Sequence, residues 1–230
     1  MAQPVAVKRT PVGIVGFAGA TLLETQRQQL SAELYAQMVA SARRYINETL
    51  QLRWDQVTLV SGGAAWADHV AVTLFLAHPE ARLVLQLPCH FVATLKQFAA
   101  SSPRERARRT VATVVGLHRS FSACLGCDSV GQLSQAVAVG AKVCVWPAGF
   151  LRRNSAVADL SQRLLAFTWA PGGAPRSGGT HDTWQKYGRS GRKVAAQHVD
   201  MNGLVASLST PDKRPADTTV HSAKRTKPNE

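Results

Sequence analysis

Apolar residues along the chain follow two rhythms. Short continuous runs at residues 12–16, 57–61, 81–87 and 164–169 read as strands buried on both faces. Between them, apolar side chains recur at helical spacing. Leu30, Leu34, Met38, Ala42, Ile46 and Leu50 step by four. They predict one long amphipathic helix, entered through a capping box at Thr21-Leu22-Leu23-Glu24. Ala67, Val70, Ala71 and Leu74 predict a second helix over residues 65–77. Residues 91–100, 130–139 and 155–163 read as further helices, the last capped by Asn154 or Ser155. Thr180 is placed to cap a helix reaching Tyr187, with Asp182 in its first turn. Residues 193–199 read as a final strand, residues 141–146 fit a strand or a helix end, and residues 111–128 give no clear period. Strands alternating with helices predict an α/β fold with a mostly parallel sheet.

Three of the predicted turns are built from small residues. Gly16-Phe17-Ala18-Gly19 follows the first strand, Ser61-Gly62-Gly63 the second, and Gly178-Gly179-Thr180 closes a Gly/Pro/Ser loop after the run 164–169. Glycine lets another molecule come close to the backbone. The helix that starts after each turn offers unpaired amides, to which a phosphate can bind. Turns on neighbouring parallel strands face one end of the sheet, where open α/β sheets hold ligands.

These turns, with Arg153-Asn154 and Asp68, give the chain a resemblance to the SLOG superfamily over roughly residues 12–199. That superfamily joins the DNA-processing A (Smf) proteins and the lonely-guy (LOG) phosphoribohydrolases. The resemblance implies a Rossmann-like three-layer fold and a nucleotide-phosphate pocket. Gly16, Phe17, Ala18, Gly19, Ser61, Gly62 and Gly63 would line it, with Asp68 ending the Gly-Gly turn. Arg153 and Asn154 would stand at its mouth, and Gly178, Gly179 and Thr180 would form the last phosphate-facing turn. Two departures stand out. A glycine of the family's second turn is replaced here by Trp66 or Ala67, and Thr183 stands where the lonely-guy enzymes carry a catalytic Glu.

The composition agrees with an anionic ligand. Over 230 residues, Lys and Arg number 27 against 14 acids, a net charge of +13. Such an excess favours nucleotides, nucleic acids or acidic surfaces. No run approaches the ~20 apolar residues of a membrane helix. Four cysteines do not make a disulfide framework and suit a reducing compartment, so an intracellular, cytoplasmic protein is expected. Cys124 and Cys127 form a CxxC, but zinc needs about four ligands and the spacing of the rest supplies none. No cofactor or metal is therefore assigned. His181, Trp66, Trp169 and Trp184 fall near the three turns.

The domain reading is a flexible stretch over 1–11, a nucleotide-binding domain over 12–200 and a disordered basic tail over 201–230. In the tail, Lys213-Arg214 and Lys224-Arg225-Thr226-Lys227 resemble a bipartite nuclear localisation signal. Three functions remain open. The first is binding or sensing a nucleotide derivative of the ADP-ribose, NAD or nucleoside monophosphate type. The second is cleavage of an N-glycosidic bond, for which Asp68 and Asp182 are the only carboxylates within the motifs. The third is nucleic-acid binding through Arg104, Arg106, Arg108 and Arg109. A homodimer through the apolar stretch 111–117 is a further reading by analogy.

Overall fold

A computed structural model describes residues 8–20, 22–147, 149–191 and 196–209. Six strands form one parallel sheet: β1 (Thr10–Gly16), β2 (Val57–Ser61), β3 (Arg82–Leu87), β6 (Lys142–Val145), β7 (Arg163–Thr168) and β8 (Ala196–Asp200). Their order is β6-β3-β2-β1-β7-β8. Strand alternation sends Val12, Ile14, Leu59, Leu85 and Phe167 to one face and Val15, Val60, Leu164 and Ala166 to the other. On the first face lie α2 (Ala32–Arg44), α3 (Ala67–Ala77), α4 (Glu105–Leu125), α5 (Ser129–Ala138) and α8 (Met201–Ser209). On the second lie α6 (Phe150–Leu160) and α7 (Gly178–Arg189). Both faces are covered, which explains why the strands read as unbroken apolar runs. The expected Rossmann-like three-layer architecture is thus present.

The structure corrects several local expectations. The long helix is divided: α1 (Glu24–Arg27) ends, and α2 starts afresh where the Ser31 side chain accepts from the Leu34 amide at 3.1 Å. Leu34, Met38, Ala42 and Ile46 still form the buried stripe. The capping box invoked Thr21, which lies outside the described residues. Residues 91–100 are not helical. They form a hairpin of β4 (His90–Val92) and β5 (Gln97–Ala99), closed by Lys96 at φ 51°. Phe91 and Phe98 pair across it at 4.9 Å between ring centres, and Phe98 is buried against α4.

Asn154 and Ser155 lie inside α6 rather than at its start, because that helix begins four residues earlier, at Phe150. Thr180 likewise sits in the first turn of α7, whose N-cap is Ser177. After β8 the chain goes on as α8, where Met201 is fully buried, so the first nine residues of the expected tail belong to the folded unit. The beginning of the expected last strand and the basic clusters of the tail lie outside the described residues.

Candidate functional site

The strand order turns back at β1: β2 lies on one side of it and β7 on the other. Open α/β sheets form a crevice at the carboxyl ends of such a strand pair. Here that crevice has a volume of about 650 Å³. Phe17, Leu22, Leu117, Phe150 and Trp169 give it an apolar wall. Gly178, Gly179 and Thr180 open the first turn of α7 into its other half, beside Arg153, Asn154 and Arg176, and Thr168 lines it as well. A helix N-terminus faced by arginines favours an anion.

Arg153 is the central polar group. It is 8% exposed and reaches across the floor of the crevice to Asp68, with Nη1 3.0 Å from Oδ2. Its Nε is buried and makes no hydrogen bond among the described residues. The guanidinium carbon lies 5.7 Å from the centre of the Phe150 ring. One edge of the fork thus holds a carboxylate, while the buried Nε–H meets no acceptor among the described residues. Burial pushes the Asp68 carboxyl above its usual range, and Arg153 and the Ala64 amide pull it back.

Arg153 also accounts for Gly62. A Cβ there would stand 1.7 Å from Arg153 Nη1 and 2.5 Å from Asp68 Oδ2. Gly63 adopts φ 65° and is pressed against Leu87. The amides of this turn are engaged from within: Gly63 donates to Ser61 Oγ at 3.1 Å and Ala64 to Asp68 Oδ2 at 3.3 Å. The Ser61 hydroxyl in turn donates to the Asp68 carbonyl at 2.7 Å. Ser61, Gly62 and Gly63 therefore lie beneath the crevice and not on its surface.

Of the residues expected at the site, Gly16, Phe17, Ala18, Asp68, Arg153, Asn154, Gly178, Gly179 and Thr180 line the crevice together. Gly19 does not line it. Gly16 is required by packing as well, since a Cβ would meet the Phe167 carbonyl at 2.4 Å and Ala67 at 2.5 Å. Asn154 ties α6 to α7, donating to the Gly179 carbonyl at 3.2 Å and to Asp182 at 3.1 Å. Asp182 also accepts from Lys186 at 2.8 Å and lies off the crevice lining. Thr183 does line it, and its hydroxyl donates to the Gly179 carbonyl at 3.0 Å.

His181 donates through Nδ1 to the Pro175 carbonyl at 2.9 Å and so fastens the glycine loop. Trp66 is core, stacked on Phe17 at 5.8 Å with Tyr35 and Phe121 edge-on. Its backbone, at φ 54° and ψ −113°, is one that glycine adopts easily and tryptophan does not. Position 66 thus keeps a glycine-like turn while carrying the largest side chain. Burial raises the Cys124 and Cys127 thiols above their usual range. Among the described residues no group of three or more His, Cys, Asp or Glu could hold a metal ion.

The sequence did not single out the supports beneath the crevice. His118, from α4, donates through Nε2 to the Gly63 carbonyl at 3.1 Å, while its Nδ1 accepts from Ser129 at 3.0 Å. Next to it, His69 pairs with Gln132 at 2.7 Å. Burial keeps both rings neutral, with the His69 pKa lowered to about 4. Arg104, Arg106, Arg108 and Arg109 are exposed around the start of α4. Arg109 is paired with Glu105. Arg106 and Arg109 line a shallow depression that shares Thr113 and Phe150 with the crevice.

Comparison with known proteins gives one relative. An uncharacterized protein of Acanthamoeba polyphaga mimivirus is 34% identical over 176 residues, covering 76% of this chain and 89% of the viral protein. No family model matches. Among solved structures, DNA processing protein A from Streptococcus pneumoniae aligns at 13% identity and a TM-score of 0.34, over 86% of this chain and 61% of that one. DNA processing protein A from Helicobacter pylori, whose structure addresses single-stranded DNA binding, aligns at 14% and 0.37, over 87% and 80%. This chain spans about three-fifths of the pneumococcal protein. Alignments this loose carry nothing about function.

Proposed function

The chain belongs to the same family as the uncharacterized mimivirus protein, and we propose that it binds a nucleotide or nucleotide derivative in the crevice between β1 and β7. The observation that carries this reading is the anion end of the crevice. There the glycine-opened N-terminus of α7 lies with Arg153, whose buried Nε has no partner among the described residues. A buried donor left without an acceptor is costly, and a ligand oxygen would remove that cost. The apolar wall opposite gives a base somewhere to lie. The resemblance to the SLOG superfamily supports the same ligand class, with ADP-ribose, NAD and nucleoside monophosphates as the candidates. Binding rather than glycosidic cleavage is favoured, because Asp68 is held by Arg153, Asp182 by Lys186, and position 183 is a threonine.

Thermal unfolding tests this. A ligand that binds only the folded state at a hundred times its Kd stabilises by about 2.7 kcal/mol. AMP, ADP-ribose or NAD at millimolar concentration is therefore expected to raise Tm by roughly 5 °C. No shift with any of the three would overturn the proposal.

A second reading, single-stranded nucleic acid on α4, is favoured by one observation: its arginine face adjoins the crevice through Thr113 and Phe150. If it holds, a labelled oligonucleotide binds with a marked salt dependence. Neutralising Arg104, Arg106, Arg108 and Arg109 together would then flatten the log K against log salt slope by about 3. An unchanged slope would remove this face from consideration.

A further inference from the structure

Thr168 is the last residue of β7 and lines the crevice. Alternation along the strand puts it on the face of Leu164 and Ala166, toward α6 and α7. Next to β7 runs β8, which carries His198. Thr168 Oγ1 and His198 Nε2 are 2.7 Å apart. On the other side of the ring, Nδ1 lies 2.8 Å from the Gly172 carbonyl. A carbonyl only accepts, so in the neutral ring Nδ1 carries the hydrogen and Nε2 a lone pair. The Thr168 hydroxyl accordingly donates to Nε2.

The same oxygen accepts from the Ala170 amide at 3.2 Å. A hydroxyl has one hydrogen and two lone pairs. His198 takes the hydrogen and Ala170 one lone pair, which leaves a single lone pair for the crevice. Thr168 thus meets a ligand as an acceptor only. The Trp184 and His198 rings stand nearly perpendicular, with centres 6.5 Å apart.

We infer that Thr168, positioned by His198, selects nucleotides that carry a free sugar hydroxyl. This rests on the nucleotide reading above. Phosphate is drawn to the first turn of α7 and Arg153, and the base to the apolar wall that includes Trp169. Thr168 adjoins Trp169 in the chain and faces the α7 layer, so the group it meets is the one that joins base to phosphate. A ribose hydroxyl donates to such an acceptor. A dideoxyribose leaves it desolvated and unpaired, which is the asymmetry on which hydrogen-bond selectivity depends.

Calorimetric titration with AMP and with 2′,3′-dideoxy-AMP tests this in the full chain. The wild type is expected to bind AMP about tenfold tighter than the dideoxy analogue. Thr168→Val, close in shape, should bring AMP down to the affinity of the analogue and leave the analogue unchanged, while Thr168→Ser should restore the preference. Equal wild-type affinity for the two nucleotides, or a preference that survives Thr168→Val, would overturn the selectivity alone. A wild type that binds neither would overturn the nucleotide reading and the selectivity with it. Nitrogen-15 shifts of the free protein at pH 8 give a further check, with the ring hydrogen of His198 expected on Nδ1 and a lone pair on Nε2. An Nε2–H form would overturn the assignment of Thr168 as an acceptor.

Discussion

Arg153→Met is expected to destabilise the folded chain by about 3–5 kcal/mol. The substitution keeps the length and apolar stem of the side chain but leaves Asp68, 3% exposed, without its cation. An unpaired buried carboxylate either stays charged at high cost or takes up a proton. Chemical denaturation at pH 7.5 measures the loss. Joining Asp68→Leu to the first change should recover most of it, because removing both charges of a buried pair is far less costly than removing one. A loss below about 1 kcal/mol in the single variant would mean that the pair does not hold the turn. Gly62 makes the same point from the other side: its missing side chain is the space through which the guanidinium passes.

Acidification is expected to have the second-largest effect. His69 has a native pKa of about 4, below the ordinary 6.5 of the unfolded chain. Above pH 6.5 both states are neutral and its stabilising contribution is complete. As the pH falls from 6.5 toward 4, the unfolded chain takes up the proton and the native chain does not, so stability is lost. The loss is about 2 kcal/mol by pH 5 and about 3 kcal/mol by pH 4. His118 is shifted in the same direction and adds to it. Asp68, shifted upward, works the other way, since the native state accepts its proton more readily. Denaturation free energies at pH 7.5 and pH 5, for wild type and His69→Phe, separate these terms. The variant should lack its share of the slope, and a wild-type stability that is flat over this range would show that the buried imidazole is not held neutral.

Strands β1, β2, β3 and β7 were legible because both of their faces are buried, which leaves a continuous apolar signature. Helix α4 was not. Its buried stripe passes through Val114, His118 and Phe121, and a histidine in the middle of a stripe hides the period. The hairpin 90–99 was misread because Phe91, Leu95 and Phe98 suit helical spacing as well as a pair of three-residue strands. At the site, the glycines pointed to the right end of the sheet, but the reason for Gly62 was hidden. That reason is a side chain of α6, far along the chain. Thr168 and His198 carried no motif, since only the pairing of β7 with β8 brings them together. The pairing of Asp182 with Lys186, one helical turn on, likewise carried no motif.

Strand β1 lies inside the sheet, and its two neighbours are far apart in the chain: Val12 partners Leu59 on one side and Arg163 on the other. During synthesis the β3-β2-β1 part of the sheet has all its strands long before β7 and β8 have left the ribosome. The crevice does not. Its floor is supplied by α6, its anion end by α7 and its threonine by β7, all late arrivals. An unfinished chain can therefore possess a packed core and no binding site. Contacts of such long sequence separation form slowly, and a growing chain leaves the edge of β1 open until β7 arrives.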